Sequence, residues 1–523
     1  MRIAVLDREH CKPKDCNYKC VRICPINKTG GEAIVVDDDT KKPVISESLC
    51  TGCGICPKKC PYDAITIINL PEELDEPIHR YGENGFSLYN IPVPRKGIVG
   101  LVGSNGIGKT TALKILSGDI QPNLGGDAGW SQIIEYYRGH EIQEYFQLLS
   151  EGNLKAVYKP QYVESIPRHV SGTVREVLEK TDERGVLEET VRQLDIQNVL
   201  ERDISVLSGG ELQRMALAAC IMRDADIYLI DEPGSYLDVK ERLNIAKAVR
   251  GLVDKRVIVV EHDLVVLDYL SDYIHVFFGR YGVYGIVSSL QGVRNGINEY
   301  LGGFLSSENM RFREPIRFDV KPASDSKKSM TSLSYPDFQV AAGDFLLEVR
   351  AGDVRAPEVV GILGPNATGK TTYIKALADV VETKPTLDLD MTVSYKPQYI
   401  EASSELVAMQ GIKNEFIQSF NLTNLLDKQL DELSGGELQR AAIAKCLSQE
   451  ADLYLLDEPS AYLDAEQRLA AAKLVRKFAN DAQKSVMVVD HDVLLIDYLS
   501  NRIMVFGGVP AEKGLAYSPQ EME

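Results

Sequence analysis

Eight of the ten cysteines lie within the first 60 residues, in two runs: Cys11, Cys16, Cys20, Cys24 and Cys50, Cys53, Cys56, Cys60. The second run reads C-x2-C-x2-C-x3-C-P and closes on Pro61; the first reads C-x4-C-x3-C-x3-C-P and closes on Pro25. Short spacings of this kind let consecutive thiolates converge on one [4Fe–4S] cube. In two-cluster arrangements the fourth cysteine crosses to the other cube. The spacing then assigns Cys50, Cys53, Cys56 and Cys24 to one cluster and Cys11, Cys16, Cys20 and Cys60 to the other. Zinc ribbons also use C-x2-C pairs, but they seldom place a third cysteine three residues on and a fourth before proline. Cys220 and Cys446 stand alone in apolar helical stretches and are expected in the core.

A second chemistry is written twice. Gly103-Ser-Asn105-Gly106-Ile-Gly108-Lys109-Thr110-Thr111 and Gly364-Pro-Asn366-Ala367-Thr-Gly369-Lys370-Thr371-Thr372 both fit G-x4-G-K-[ST]. Each follows an apolar run, Ile98 to Val102 or Val359 to Leu363, and precedes a helical pattern. That is the strand–loop–helix setting of a phosphate-binding loop. Backbone N–H groups cradle phosphates, the lysine reaches the β- and γ-phosphates, and Thr110 or Thr371 binds Mg2+. Further matches follow in the same order in both halves. Leu207-Ser208-Gly209-Gly210-Glu-Leu-Gln-Arg returns at Leu433-Ser434-Gly435-Gly436-Glu-Leu-Gln-Arg, and Asp231-Glu232-Pro returns at Asp457-Glu458-Pro, 226 residues later in each case. Lys-Pro-Gln161 and Lys-Pro-Gln398, Tyr-Leu-Asp238 and Tyr-Leu-Asp464, and His262-Asp and His491-Asp complete the sets.

These paired sets resemble the nucleotide-binding domain of the ATP-binding cassette (ABC) superfamily. The resemblance implies an α/β fold with two phosphate-loop cassettes arranged head to tail. It implies that Asp231 and Asp457 hold Mg2+ and that Glu232 and Glu458 orient or deprotonate the attacking water. His262 and His491 would sense the γ-phosphate, while Gln161 and Gln398 would touch metal and water. One site would pair Lys109, Gln161, Glu232 and His262 with Ser434; the other would pair Lys370, Gln398, Glu458 and His491 with Ser208. Ala367 departs from the glycine found at Gly106 and is expected to tighten the second loop. For adenine stacking, the aromatics upstream are Tyr81 or Phe86 in the first half and Tyr335 or Phe338 in the second.

The elements that must carry these residues set the organisation. The chain has 523 residues, 44% hydrophobic and 26% charged, with net charge −18. That composition excludes disordered and collagen-like chains and suits about three domains. Residues 1–70 carry 11 Lys+Arg against 9 Asp+Glu, so the acidity resides in the rest. The acidic whole argues against unspecific electrostatic gripping of RNA. No apolar stretch approaches the ~18–20 residues that span a bilayer, and the start has no signal-peptide core, so a cytoplasmic protein is expected. The boundaries expected are an iron–sulfur domain at 1–70, a first cassette at 71–287, a hinge or linker at 288–325 and a second cassette at 326–523. A polar Ser/Lys/Asp stretch at about 321–334 reads as linker.

The halves differ between loop and glutamine. Lys109 and Gln161 are 52 residues apart, Lys370 and Gln398 only 28. The surplus falls at about 127–150, around Trp130 to Phe146, and reads as two short helices turning at Gly139. Its positive, aromatic-flanked Arg138-Gly139-His140 suggests a partner surface. After the first cassette, Arg294 and the Arg311 to Arg317 stretch suggest RNA binding or an inter-domain hinge.

Two such cysteine runs before twin cassettes are similar to one family, the ABC-E ATPases or RNase L inhibitor. The resemblance rests on the eight cysteines, the Lys-Pro-Gln-Tyr segments, the L-S-G-G-E-L-Q-R pairs and the insert W-x5-Y-Y-R-G-x-E. It implies a small α+β ferredoxin-like lobe with two [4Fe–4S] clusters, ATP and Mg2+ as further cofactors, and ATP hydrolysis. It implies a ribosome-recycling ATPase that splits post-termination ribosomes and stays on the small subunit. Ribosomal RNA and proteins, a release-factor-like protein in the A site and initiation factors would be its partners. It would work as a monomer with intramolecular cassette pairing and no membrane. By position, Arg138 to His140, Arg294 and Arg311 to Arg317 would contact RNA. The family also implies a second hinge segment beyond Glu523, which leaves inter-domain coupling open. Two other readings remain: an ATP-coupled electron-transfer protein, and the soluble ATPase of another assembly such as a transporter.

Overall fold

The computed structural model describes residues 2–522 apart from 9, 38–39, 47–48, 70–75, 83–84, 317–329, 387–390 and 401–402. They group into two units, Met1–Ser235 with Asn244–Ile316, and Tyr236–Leu243 with Arg317–Glu523. The expected boundaries near 70 and 325 fall outside the described residues, as does Arg317.

In the first unit, the N-terminal lobe pairs strand Arg2–Leu6 antiparallel with Ile65–Asn69, and Ile34–Val36 with Pro43–Ile45. Short helices Lys19–Ile23 and Ile55–Lys59 carry Cys20 and Cys56. The lobe's core is small: Ala4, Leu6, Ala33, Ile34, Ile45, Ala64 and Ile65 pack directly on the cysteines. Arg280 ties this lobe to the cassette. Its Nη2 donates to Asp63 O at 3.0 Å and lies 3.7 Å from Asp7 Oδ2.

The cassette of this unit is built on parallel strands. Ile227–Asp231 lies between Ala156–Lys159 and Arg256–Val260, and Gly97–Val102 pairs in parallel with Tyr273–Arg280. Strands covered on both faces must be apolar throughout, and every residue of Gly97–Val102 and of Ile227–Asp231 is buried. Ligand sites of such sheets form beyond the carboxyl ends of the strands, where the loops at 103–108, 160–162, 232–235 and 261–263 all emerge. The insert forms helices Trp130–Tyr136 and Ile142–Ser150. Between them Gly139 takes φ +83°, the left-handed bend that glycine allows. Arg138, Gly139 and His140 are exposed, and Arg138 pairs with Glu135 at 2.8 Å.

The second unit repeats this plan in one nine-stranded sheet. Glu358–Leu363 sits between Ser485–Val489 and Arg502–Val509, all parallel there. The expected linker at 321–334 lies outside the described residues up to 329. From Met330 the chain is instead a strand, Met330–Tyr335, paired with Gly352–Ala356. Leu333 and Tyr335 alternate inward to the core, and that burial outweighs the polar composition. The hinge segment begins with helix Val293–Gly302. Arg294 and Arg311 are exposed, whereas the Arg313 guanidinium lies 4.3 Å from the Tyr300 ring centroid and donates to Tyr300 O. Among the described residues no helix is long and apolar enough to cross a membrane.

A partly exposed charge-assisted contact such as that of Arg280 is worth about 1 kcal/mol. Arg280→Ala should therefore speed amide hydrogen exchange across the lobe several-fold while leaving exchange in the cassette strands unchanged. Equal rates in the lobe would show that other contacts hold it.

Candidate active site and cluster lobe

Each phosphate loop wraps its own lysine. Lys109 Nζ donates to Gly103 O at 2.8 Å and Ser104 O at 2.6 Å; Lys370 Nζ donates to Gly364 O at 2.8 Å and Pro365 O at 2.7 Å. Helices Lys109–Ser117 and Lys370–Leu377 start at these loops, so their free N–H groups face the space a phosphate would take. Thr110 Oγ1 donates to Asp231 Oδ2 at 2.8 Å, which brings the two expected Mg2+ ligands together. Burial raises the Asp231 carboxyl above its usual range, and the neighbouring Glu232 charge adds to this. Burial and Glu458 likewise push Asp457 up to about 6. A divalent cation would relieve both.

The expected catalytic residues meet in both units. Gln161 Nε2 donates to Glu232 Oε1 at 2.7 Å, and His262 Nε2 lies 3.3 Å from the same oxygen. Gln398 Nε2 donates to Glu458 Oε1 at 2.9 Å, again with His491 Nε2 at 3.3 Å. Burial alone would raise the Glu232 carboxyl, but His262, Lys109 and Gln161 outweigh it and hold it at about 2. Glu458 is also held low, by His491, Gln398 and Lys370 against burial. A half-buried carboxylate kept ionised beside an amide and an imidazole can orient a water and accept its proton.

Ser208 and Ser434 cap helices Gly209–Ile221 and Gly435–Ser448 through reciprocal bonds with Glu211 and Glu437. Asp238 and Asp464 accept bonds from the helix starts that follow them. Within the second unit, Asp238 Oδ2 also accepts from Asn366 N at 2.9 Å. Cys220 and Cys446 are buried in helices, as expected.

The aromatics divide. Tyr81 is exposed with its hydroxyl 3.5 Å from Thr111 Oγ1, and Phe86 lies against Gly108. Tyr335 and Phe338, by contrast, are each only 2% exposed and pack with Tyr373 in the core, so neither can offer a face to a base. The residue placed like Phe86 is Phe345: its ring lies against Gly369 as that of Phe86 lies against Gly108. It begins strand Phe345–Val349, which Gly343 turns from Phe338–Ala342. That hairpin was the available signal, since it moves the loop-facing aromatic downstream. Sequence reasoning also missed Glu261. Its carboxylate accepts from Gly234 N at 3.1 Å and His262 N at 2.8 Å, tying the histidine to the Glu-Pro turn; Asp490 does the same for Ser460 and Asp492.

In the lobe, a cavity walled by Leu6, Pro43, Pro61 and Ile65 has Cys11, Cys16, Cys20 and Cys60 around it. All are free thiols. Burial pushes Cys11 and Cys20 up to about 11, and each also feels the charges of Cys16 and Cys60. Cys56 is pushed up to about 12, by burial and then by Cys50 and Cys53. The thiols thus crowd one another in two sets, with Cys60 among the first run. Cys24 is buried in the same core. Among the described residues, no group of three or more His, Cys, Asp or Glu side chains is drawn together tightly enough for a single metal ion. Crowded, mutually repelling thiols around a cavity fit an iron–sulfur cluster, which would take them as thiolates.

Twin phosphate loops, each with a carboxylate pair, a glutamine and a histidine at the strand ends, define an ATPase of the ABC class. The ABC transporter family matches residues 87–235 and 348–461; the possible Fer4-like domain of RNase L inhibitor matches 1–32, and the 4Fe-4S binding domain matches 43–66. The chain is 49% identical to an uncharacterized ABC transporter ATP-binding protein of Methanocaldococcus jannaschii, over 99% of this chain and 90% of that one. It is 43% identical to translation initiation factor RLI1 of Saccharomyces cerevisiae, over 100% and 91%. A structure of ribosome-bound archaeal Pelota and ABCE1 contains a chain 49% identical, with TM-score 0.93, covering 100% of this chain and 91% of that one. A second, of archaeal ribosomal stalk protein aP1 with archaeal ribosome recycling factor aABCE1, gives 49% identity and TM-score 0.81, covering 85% and 90%. The chain belongs to the ABC-E family, the family of RNase L inhibitor.

Phe345→Ala should weaken ATP binding at the second phosphate loop about tenfold, the worth of one stacked base, without changing the melting temperature. Tyr335→Ala should do the reverse, lowering the melting temperature through a core cavity. Titration with a fluorescent ATP analogue and calorimetry separate the two.

Proposed function

We propose that this chain is an ATP-driven ribosome recycling factor. It splits post-termination ribosomes into subunits and then stays on the small subunit. What supports the reading most is that likeness to an ABCE1 described as ribosome-bound covers the entire chain, lobe included. Complete catalytic sets in both units support hydrolysis at two sites.

The residues divide the work. Lys109 and Lys370 hold the β- and γ-phosphates, Thr110 with Asp231 and Thr371 with Asp457 hold Mg2+, and Glu232 and Glu458 take the proton of the attacking water. The two cassettes close head to tail, so that Ser434 faces the first loop and Ser208 the second. The lobe, bound to the first cassette, moves with that closure and acts on the ribosome together with a release-factor-like protein. Arg138 to His140 and Arg294 supply local contacts to RNA, as an acidic chain requires. Bound clusters supply stiffness to a lobe of ~70 residues with little core of its own. The protein works in the cytoplasm.

Two [4Fe–4S] clusters are held by Cys11, Cys16, Cys20 and Cys60 and by Cys24, Cys50, Cys53 and Cys56. Anaerobically purified protein should contain about eight iron and eight sulfide per chain. Cys60→Ser should remove or alter the cluster of the first run, although Cys60 belongs to the second run in sequence. Loss confined to the second-run cluster would reverse the crossing.

Density-gradient co-sedimentation with small ribosomal subunits tests the function. Glu232→Gln/Glu458→Gln with ATP, and the unmodified chain with a non-hydrolysable analogue, should be retained; the ADP form should be released. Nucleotide-independent behaviour, in protein with intact clusters and ATPase activity, overturns the reading. Measurement of the cluster potentials would then test electron transfer.

A further inference from the structure

Glu232 and Glu458, read as the groups that activate the attacking water, both hold an unfavourable backbone. Their φ angles are +45° and +47°. A non-glycine residue in the left-handed region is disfavoured and persists only when its surroundings over-determine it. Pro233 and Pro459 follow directly and add to the restriction, because a residue before proline prefers extended backbone. Something must therefore hold these two residues.

The amide side is held by the sheet. Glu232 N donates to Val260 O at 3.0 Å, and Glu458 N to Val489 O at 2.8 Å. The carbonyl side is held by two buried side chains. Gln213 Nε2 donates to Glu232 O at 2.6 Å, and Lys159 Nζ donates to Glu232 O at 3.3 Å and Asp231 O at 2.9 Å. The second unit repeats the arrangement. Gln439 Nε2 donates to Glu458 O at 2.6 Å, and Lys396 Nζ donates to Glu458 O at 3.3 Å and Asp457 O at 2.8 Å. All four side chains are at most 1% exposed. A buried ammonium is expensive; burial pulls Lys159 and Lys396 down to about 8, opposed by the adjacent aspartate and glutamate charges. A neutral core residue would fill the same space at lower cost. The lysine is also two positions from the glutamine that bonds the same glutamate's carboxylate, so one short segment fixes both its main chain and its side chain.

We propose that Lys159 with Gln213, and Lys396 with Gln439, are positioning residues for hydrolysis. They clamp the carbonyl of the catalytic glutamate, keep it left-handed, and so aim its carboxylate at the water. This rests on the reading of Glu232 and Glu458 as the groups that activate water.

The test uses the full-length, cluster-loaded chain carrying Glu458→Gln, so that turnover reports on Glu232. Lys159→Met and Gln213→Met each remove a donor with little change of volume. Each should lower kcat roughly 10- to 100-fold, the scale of a misplaced catalytic group, with KM for ATP within about twofold. Added to Glu232→Gln, neither should lower the residual rate further, because the group they position is gone. Unchanged kcat in both variants overturns the proposal, as does a KM rise that accounts for the loss, or an equal loss in the Glu232→Gln background. If Lys159→Met does not fold, Gln213→Met carries the same comparison. If Glu232→Gln alone leaves turnover intact, the reading of the glutamate fails and the positioning role falls with it; loss of turnover in Glu232→Gln with unchanged kcat in Lys159→Met and Gln213→Met overturns the positioning role alone.

Discussion

Two carboxylates stand side by side at the end of one buried strand in each cassette, and the rest of the site answers that crowding. Asp231 with Glu232, and Asp457 with Glu458, would repel each other and protonate if left alone in the interior. They are kept apart in chemistry by their neighbours. The glutamate receives an imidazole and an amide and stays ionised; the aspartate carboxyl is pushed up in both, with a threonine hydroxyl on Asp231, a state that a bound cation would relieve. A proton acceptor and a metal ligand thus arise from adjacent residues of nearly identical type. The parallel sheet makes this possible, because it delivers the loops of four strands to one edge.

The lobe solves a different problem. Its apolar core is a handful of alanines and isoleucines, too small to stand alone at about 70 residues. Its thiols occupy the centre that side chains would otherwise fill, and several are forced to high pKa by burial and by one another. Burial favours the neutral thiols there, and iron would take them as thiolates. Cluster and core are therefore the same object, which explains why cysteines from both runs converge.

The motif residues were readable from sequence because their chemistry demands local spacing. A phosphate loop, a strand-end Asp-Glu and a helix-capping serine are each set within a few residues, and their duplication fixed the register of the two cassettes. The insert was readable as surplus length with helical periodicity. What escaped reading depends on partners distant in the chain. Tyr335 stands upstream of its loop as Tyr81 does, but one hairpin rotates it into the core and brings Phe345 forward. Lys159 looks like an ordinary surface lysine at a strand end; only the carbonyls of Asp231 and Glu232, more than 70 residues away, explain its burial. Residues 330–334 look like linker until Gly352–Ala356 supplies a pairing edge.

The loop departure at Ala367 is explained by the turn that packs against it. Ala367 keeps the left-handed φ of Gly106, +58° against +68°. At Gly106 a Cβ would meet the Tyr281 ring at 2.3 Å, so the first loop requires glycine twice over, for backbone and for space. In the second unit the corresponding turn bonds the loop through Ala511 N to Ala367 O at 2.9 Å, as Gly282 N bonds Gly106 O at 3.0 Å. There Pro510 precedes Ala511 where Tyr281 precedes Gly282, and alanine stands at 367 with the left-handed φ. In the first unit the turn has a second duty. Arg280, the residue before Tyr281, donates to the Asp63 carbonyl of the lobe. Three consecutive residues therefore carry one bond to the lobe, one ring over the phosphate loop and one bond to that loop. The glycine at 106 is the imprint of that tyrosine on the loop, and the turn physically joins the first nucleotide loop to the lobe.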